Sequence, residues 1–290
     1  MFRIVALLIF LMIALFTVVA NLVASTTGEG QRVDPLAAVG RFVSGTLNSA
    51  DRIAPQMSRA WDRARANERH GSGELAETGA YPRRVLTKED LAGLEDPGGL
   101  YPGAEVSGTR FVGAWLDESV FEGAAGVAPD FSKARLALAK FTAASMSGAK
   151  FIRADLRSAK ARAANFAWSD FTGADLTGAV LSKAFLEGGT FDSAYAARAV
   201  FVEAAAAQSS FHDVDLRGAD FRRADLSGAS FKGADLTATR FDGAILAGAD
   251  FEGAVGISAA LFEGACGDEA TKGLTTVALD ECAADDDTPS

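Results

Sequence analysis

Between Arg217 and Phe251 the chain reads RGADFRRADLSGASFKGADLTATRFDGAILAGADF, with a large apolar residue returning at every fifth position. A helix repeats near 3.6 residues and a simple strand near 2, so neither regular element produces this beat. From Phe111 to Leu261 it covers 31 positions, and Phe, Leu or Met fill 26 of them, the exceptions being Gly126, Ala161, Ala196, Ala206 and Gly256. Two residues before each position stands a small residue, such as Ala219, Ala224, Ala229, Ala234, Ala244 or Ala249. Between the two sits a polar group, often Asp, which gives ADL at Asp155, Asp175, Asp225 and Asp235 and ADF at Asp220 and Asp250. A register held this long specifies a stack of small units that bury a continuous core only together.

These residues resemble the pentapeptide-repeat family over residues 111–261. The resemblance implies an all-β solenoid, a right-handed quadrilateral pentapeptide-repeat β-helix in which five residues form one side and four sides make a coil. It also implies that the central Phe or Leu and the small residue two before it point inward, and that the other three face solvent. The sequence supplies a check: with twenty residues per coil, Phe111, Phe131, Phe151, Phe171, Phe191, Phe211, Phe231 and Phe251 share one side, and all eight are Phe. The opposite side, counted from Phe121, carries Phe at five of eight levels. About eight coils at roughly 4.8 Å each give a rod on the order of 37 Å long. Each buried large side chain contributes roughly 1.5–3 kcal/mol against chain entropy.

Four regions follow from the pattern. Residues 1–24 form an apolar segment in which Ile4 to Ala20 carries no charge, Pro or Gly, long enough to cross a bilayer as a transmembrane helix. An export signal is the other reading, with Val18-Val19-Ala20 as a weak cleavage site. Residues 25–106 read as a linker with amphipathic helices and an amino-terminal cap. There Asp34-Pro35 starts a helix with apolar seams at Leu36, Val43, Ala50 and Met57 and at Gly40, Leu47, Ala54 and Trp61. That helix packs on its own domain, pairs as a coiled coil or lies on lipid. In TKEDLAGLEDPG, Thr87 and Asp90 form a capping box that predicts one short helix. Residues 107–265 are the β-helix and residues 266–290 an acidic tail. Gly126 and Pro129 mark a distorted corner or a bulge.

Of the net charge of −10, residues 111–265 hold 15 basic and 19 acidic groups and residues 266–290 hold 1 and 7. Basic residues such as Lys140, Lys160, Arg222 and Arg223 are scattered over the rod, with no patch on the scale of a nucleic-acid binder. Cys266 and Cys282 either close a disulfide loop or stay as free thiols, according to the compartment. His212, Asp213 and Asp215 lie close in sequence without a nucleophile, and no phosphate loop or metal cluster is present in the sequence. No enzyme activity, cofactor or metal is expected, and the many Asp residues read as a solvated ladder.

What remains is surface. Trp168, Val180, Phe185, Tyr195, Val200 and Val202 are large apolar groups at outward positions, which marks a protein-interaction surface or one covered by the helix at 35–68. The expected function is a membrane-tethered scaffold or protein-interaction module. It is similar to bacterial pentapeptide-repeat proteins, single-pass in the inner membrane with the soluble domain periplasmic, and its partner is an unidentified protein or a second copy. The family resemblance also implies an alternative, since some members are acidic, DNA-like dimers that act on DNA gyrase.

Overall fold

The computed structural model describes residues 83–282. The apolar segment at 1–24 and the helix expected at 35–68 lie outside the described residues, and among the described residues no helix is long and apolar enough to cross a membrane.

A five-residue side is too short to pair with itself, so its backbone bonds go to the coils above and below. Parallel bridges join residues twenty apart without a break from Val85↔Glu105 to Asp235↔Val255. Along each side the central residue's N–H reaches one coil on, as from Phe111 to the Asp130 carbonyl at 2.7 Å, and the preceding residue's N–H reaches one coil back, as from Arg110 to Glu89 at 2.9 Å. The corner between sides is a β-turn closed by a bond such as Ala114 N–H to Phe111 C=O at 3.0 Å. Its third residue has positive φ and its second does not, as in Gly113 at φ 64° or Lys133 at φ 59°, which is the type II signature.

One corner amide in each unit has no partner in this ladder, and here the Asp of the repeat acts. Asp170, Asp175, Asp225 and Asp235 each accept the N–H two residues on through Oδ1, at 2.9–3.0 Å. The ladder of Asp is therefore more than a solubilising face: each carboxylate satisfies its own turn.

From Tyr101 to Phe251 the central residue and the one two before it point inward, and nearly all their side chains are buried; Leu261, expected inward, is instead a bridge residue and 51% exposed, because the 3-10 turn before it shifts the register by one residue. Phe111 to Phe251 form a column with neighbouring rings 4.7–5.2 Å apart and within 9° of parallel. A second column on the opposite side meets it edge-on, as in Phe221 and Phe231 at 86°. Both arrangements suit the ring quadrupole. Where Ala161 leaves the second column short, Phe166 from the adjacent side packs edge-on against Phe141 and Phe151, so the volume is kept. Ser or Thr at the small inward position donates its hydroxyl to a carbonyl of the previous coil, as Ser209 does to Leu186 and Thr239 to Leu216, both at 2.8 Å.

Three expectations are corrected. The rod begins near Val85 rather than at residue 107, and with its last level at Lys272 it has about nine and a half coils instead of eight. Thr87 to Gly98 is accordingly part of the first coil and not a short helix, with Lys88 at φ 59° on a corner and Asp90 accepting the Ala92 N–H. Here Leu86, Leu91, Asp96, Tyr101 and Val106 keep the five-residue spacing. The beat is hidden because Asp96 takes an inward position, where it accepts a hydrogen bond from the buried Tyr101 hydroxyl. Burial first, and this bond second, push the Tyr101 phenol far above its ordinary range. At Gly126 and Pro129 the corner is distorted as expected, because Pro129 has no N–H to close the turn, but there is no bulge, since Glu105↔Ala125↔Ser145 and Asp130↔Lys150 hold the twenty-residue register. Gly126 is required by contact: a Cβ there would lie 2.6 Å from the Ser107 nitrogen.

The third correction concerns residues 266–282, which form a folded cap instead of a tail. A 3-10 turn at Ile257–Ala259 lengthens the last coil, so that Arg240 pairs with Leu261 and Asp250 with Lys272. Strand β1 (Cys266–Gly267) then pairs in parallel with β2 (Asp280–Glu281), and Cys266 and Cys282 are joined by a disulfide. Phe262, Leu274 and Leu279 pack on the end of the core.

Two outcomes test this architecture. Phe171→Asp puts an unpaired charge into the ring column and should prevent the rod from folding; soluble protein with unchanged β-rich circular dichroism would oppose the inward assignment. Reduction should raise the intact mass by about two protons and increase hydrogen exchange in the cap, while the coils from Phe111 to Phe231 stay protected.

Candidate protein-interaction surface

With two positions of each unit buried and the position before the centre often occupied in turn capping, a functional surface must be built from outward residues that depart from this scheme. We number the sides by their bridge residues: side 1 carries Asn165, Phe185 and Ala205; side 2 Asp170 and Thr190; side 3 Asp175, Tyr195 and Asp215; side 4 Lys160, Val180 and Val200. Sides 4 and 1 adjoin, and side 3 lies opposite side 1.

The six apolar residues singled out from sequence do not form one patch. Val180 and Val200 are bridge partners on side 4, and Val202 follows at the corner leading to side 1. Phe185 lies on side 1 directly over Asn165 and is 56% exposed. Trp168, 62% exposed, occupies the far corner of side 1, and its ring lies across Gly188, where a Cβ would come within 2.3 Å of it. These five wrap sides 4 and 1. Tyr195 is equally exposed but stands on side 3 between Asp175 and Asp215, so it is not part of the surface. An ion pair from Lys183 to Glu203 at 3.1 Å, continued by Arg223, crosses the corner beside Val202.

Trp168 is unusual in another respect. It holds φ 59° at a corner position taken elsewhere mostly by Gly or small and polar residues, and the left-handed region costs a bulky L-residue roughly 1–2 kcal/mol. Neither burial nor backbone geometry accounts for an indole there. The part of the ring turned away from Gly188 is exposed.

Side 3 has a different chemistry. Arg157 forks onto Asp155 and approaches Asp175 at 3.8 Å, and Arg217 does the same with Asp215 and Asp235. The guanidinium groups hold the Asp155 and Asp215 carboxyls below the usual carboxylate range. His212 is brought beside two groups that its neighbours in sequence did not suggest: its Nε2 lies 2.7 Å from Ser230 Oγ and its Nδ1 3.7 Å from Asp192. Asp192 gives its other oxygen to Ser210 Oγ and to the His212 amide, and the row runs along an open, half-exposed corner. Asp213 and Asp215 take no part in it. Among the described residues no group of His, Cys, Asp and Glu could hold a metal ion. A hollow of about 580 Å³ opens beside the cap, lined by Asp268, Thr271, Leu274, Val277 and Leu279 among others, far along the rod from the exposed aromatics.

The sequence model of the pentapeptide repeats matches in eight copies over residues 128–157, 149–188, 162–195, 199–237 and 234–261. The part of the rod between residues 128 and 261 is therefore similar to pentapeptide repeats. Among solved structures, full-length QnrB1, a plasmid-mediated fluoroquinolone resistance protein, superposes with a TM-score of 0.53 at 17% identity, covering 65% of this chain and 94% of that one. HetL, a pentapeptide repeat protein involved in heterocyst differentiation regulation in the cyanobacterium Nostoc sp. strain PCC 7120, is 25% identical over 65% of this chain and 89% of its own, with a TM-score of 0.35. The likeness to QnrB1 is one of fold. No curated protein sequence matches.

Two measurements follow. Trp168→Gly should leave the thermal midpoint unchanged or higher, because glycine takes this backbone conformation without penalty. The depressed carboxyls of Asp155 and Asp215 stabilise the fold above the ordinary carboxylate range, and that contribution disappears as pH falls through their lowered values. Thermal midpoints should thus be level near neutrality and fall below about pH 4.

Proposed function

We propose that the protein is a non-enzymatic interaction module, a β-helical rod that docks a protein partner on sides 4 and 1 and is tethered to the membrane by its amino-terminal segment. The observation that carries the docking role is the exposure of Phe185 and Trp168 beside Val180, Val200 and Val202, on a rod that gains no stability from displaying them. The tether is supported by the uncharged apolar run from Ile4 to Ala20. Export of the rod to the periplasm accords with a cap closed by Cys266 and Cys282, a linkage favoured in oxidising compartments.

A second reading is favoured by the acidic excess between residues 170 and 265, where 14 acidic groups face 7 basic ones. In it the rod imitates DNA and acts on DNA gyrase, as some pentapeptide-repeat proteins do. Two features weigh against it. The acids of side 3 are shared with Arg157 and Arg217, and many Asp residues are committed to their own turns, so the track is partly neutralised from within.

Phe185→Lys should leave the circular dichroism unchanged and remove partner capture in a pull-down from membranes; an unchanged capture profile with unchanged sedimentation would oppose the docking surface. A gyrase supercoiling assay separates the readings: no effect is expected, and inhibition or protection would favour the DNA-like alternative. A carboxyl-terminal fusion to a reporter active only in the periplasm should be active.

A further inference from the structure

The charges of the rod are sorted along its axis in a way that totals conceal. Residues 131–169 hold eight Lys or Arg and one Asp, whereas residues 111–130 hold four acids and no base. Two of the eight are engaged: Arg135 with Asp117 and the Trp115 ring, and Arg157 with Asp155 and Asp175. The other six, Lys133, Lys140, Lys150, Arg153, Lys160 and Arg162, are exposed and have no described carboxylate within ion-pair distance, Arg162 acting on Glu203 only at longer range.

The bridge partners sharpen this. Three steps of the described ladder stack like charges on adjacent coils: Asp155 on Asp175, Asp215 on Asp235, and Lys140 on Lys160. Such juxtaposition destabilises a sheet. An arginine spans each of the two acidic steps, but no described carboxylate spans the lysine step. The cost of the lysine step is therefore left for something outside the rod to relieve.

Position selects the side. Lys140 and Lys160 stand on side 4 and Arg162 at its corner with side 1; one side further, on the same and the next coil, come Trp168 and Phe185. Lys133, Lys150 and Arg153 lie on side 2 and its corner with side 3. The cationic zone is only about two coils, or 10 Å, deep. On the corner between sides 4 and 1 it is bounded by Glu122 and Glu203. A duplex or a lipid surface is anionic over a wider span and would meet those carboxylates. An extended polypeptide crosses a 10 Å zone in a few residues, and it can set carboxylates on the cations and apolar side chains on the two rings.

We infer that the corner between sides 4 and 1, from Lys140 to Phe185, binds an acidic polypeptide segment carrying apolar residues, on a partner protein. This rests on the reading of that corner as the docking surface and adds the chemistry of what docks. Nothing in the proposal concerns the opposite cations, which serve as its control.

The test uses the full-length chain in detergent-free nanodiscs of zwitterionic lipid and fluorescence anisotropy. The probe is a labelled pool of synthetic peptides of about twelve residues, mixing Glu and Asp with Leu and Phe, long enough at about 3.3 Å per residue to cross both sides. A pool with Lys in place of the acids, a poly-dT oligonucleotide and phosphatidylglycerol vesicles are the competitors. The acidic pool should bind, and binding should weaken with added salt and fall on the order of tenfold in Lys160→Glu/Arg162→Glu, as expected for lost charge-assisted contacts. Lys133→Glu/Arg153→Glu should bind as the parent does. Absence of binding, equal effects of the two charge reversals, or stronger competition by oligonucleotide or vesicles would overturn the proposal. Phe185→Ser keeps the two failures apart. Binding lost in Phe185→Ser but kept in Lys160→Glu/Arg162→Glu refutes the acidic partner and leaves the docking surface standing. Binding kept in all three variants refutes both.

Discussion

The structure depends on one match of lengths. Parallel strands stack at about 4.8 Å, and a phenylalanine ring stacked on its neighbour needs nearly the same distance, so a Phe repeated every twenty residues packs at van der Waals contact without bending the backbone. The observed ring spacings of 4.7–5.2 Å in the main column show the two periods locked together. The width of the tube follows from this: the two sides between the ring columns carry mainly Leu at their central positions, and the inward position two before each centre holds mostly Ala, Ser or Thr. Where one column falls short, at Ala161, another side supplies Phe166 instead of leaving a void.

A core specified so tightly leaves few positions free for function. The residue before each central position commonly spends its oxygen on the amide of its own corner, and Arg partners hold several of these acids in place. The outward residues that do neither therefore stand out against a uniform background. Phe185 on side 1 and the unneutralised lysines on side 4 meet at one corner, with Trp168 across the width of side 1, next to coils whose charges are largely satisfied internally. In a rod, neighbouring levels are fixed relative to one another, so such a surface is rigid and its spacing is set by the repeat.

The repeat, its inward residues and the outward aromatics were legible in the sequence because each obeys or breaks a strict period. The start of the rod was not. Asp96 at an inward position interrupts the apolar beat, and Thr87 with Asp90 imitates a helix cap; the same short-range chemistry of an Asp oxygen on a nearby amide serves a β-turn here. The cap was missed for a related reason, since residues 266–282 carry no five-residue beat and are held by β1–β2 pairing and by the Cys266–Cys282 bond.

By itself the sequence determined the period and the identity of the buried residues from Phe111 to Phe251, because burial imposes a periodic demand that any copy of the unit must meet. The tertiary structure alone decided which outward residues are neighbours. Tyr195 and Phe185 are close in sequence and on opposite sides of the rod, while Lys140 and Lys160 are twenty residues apart and adjacent. Outward side chains answer to no core, so their partnerships arise only when winding the chain brings successive coils within reach of one another.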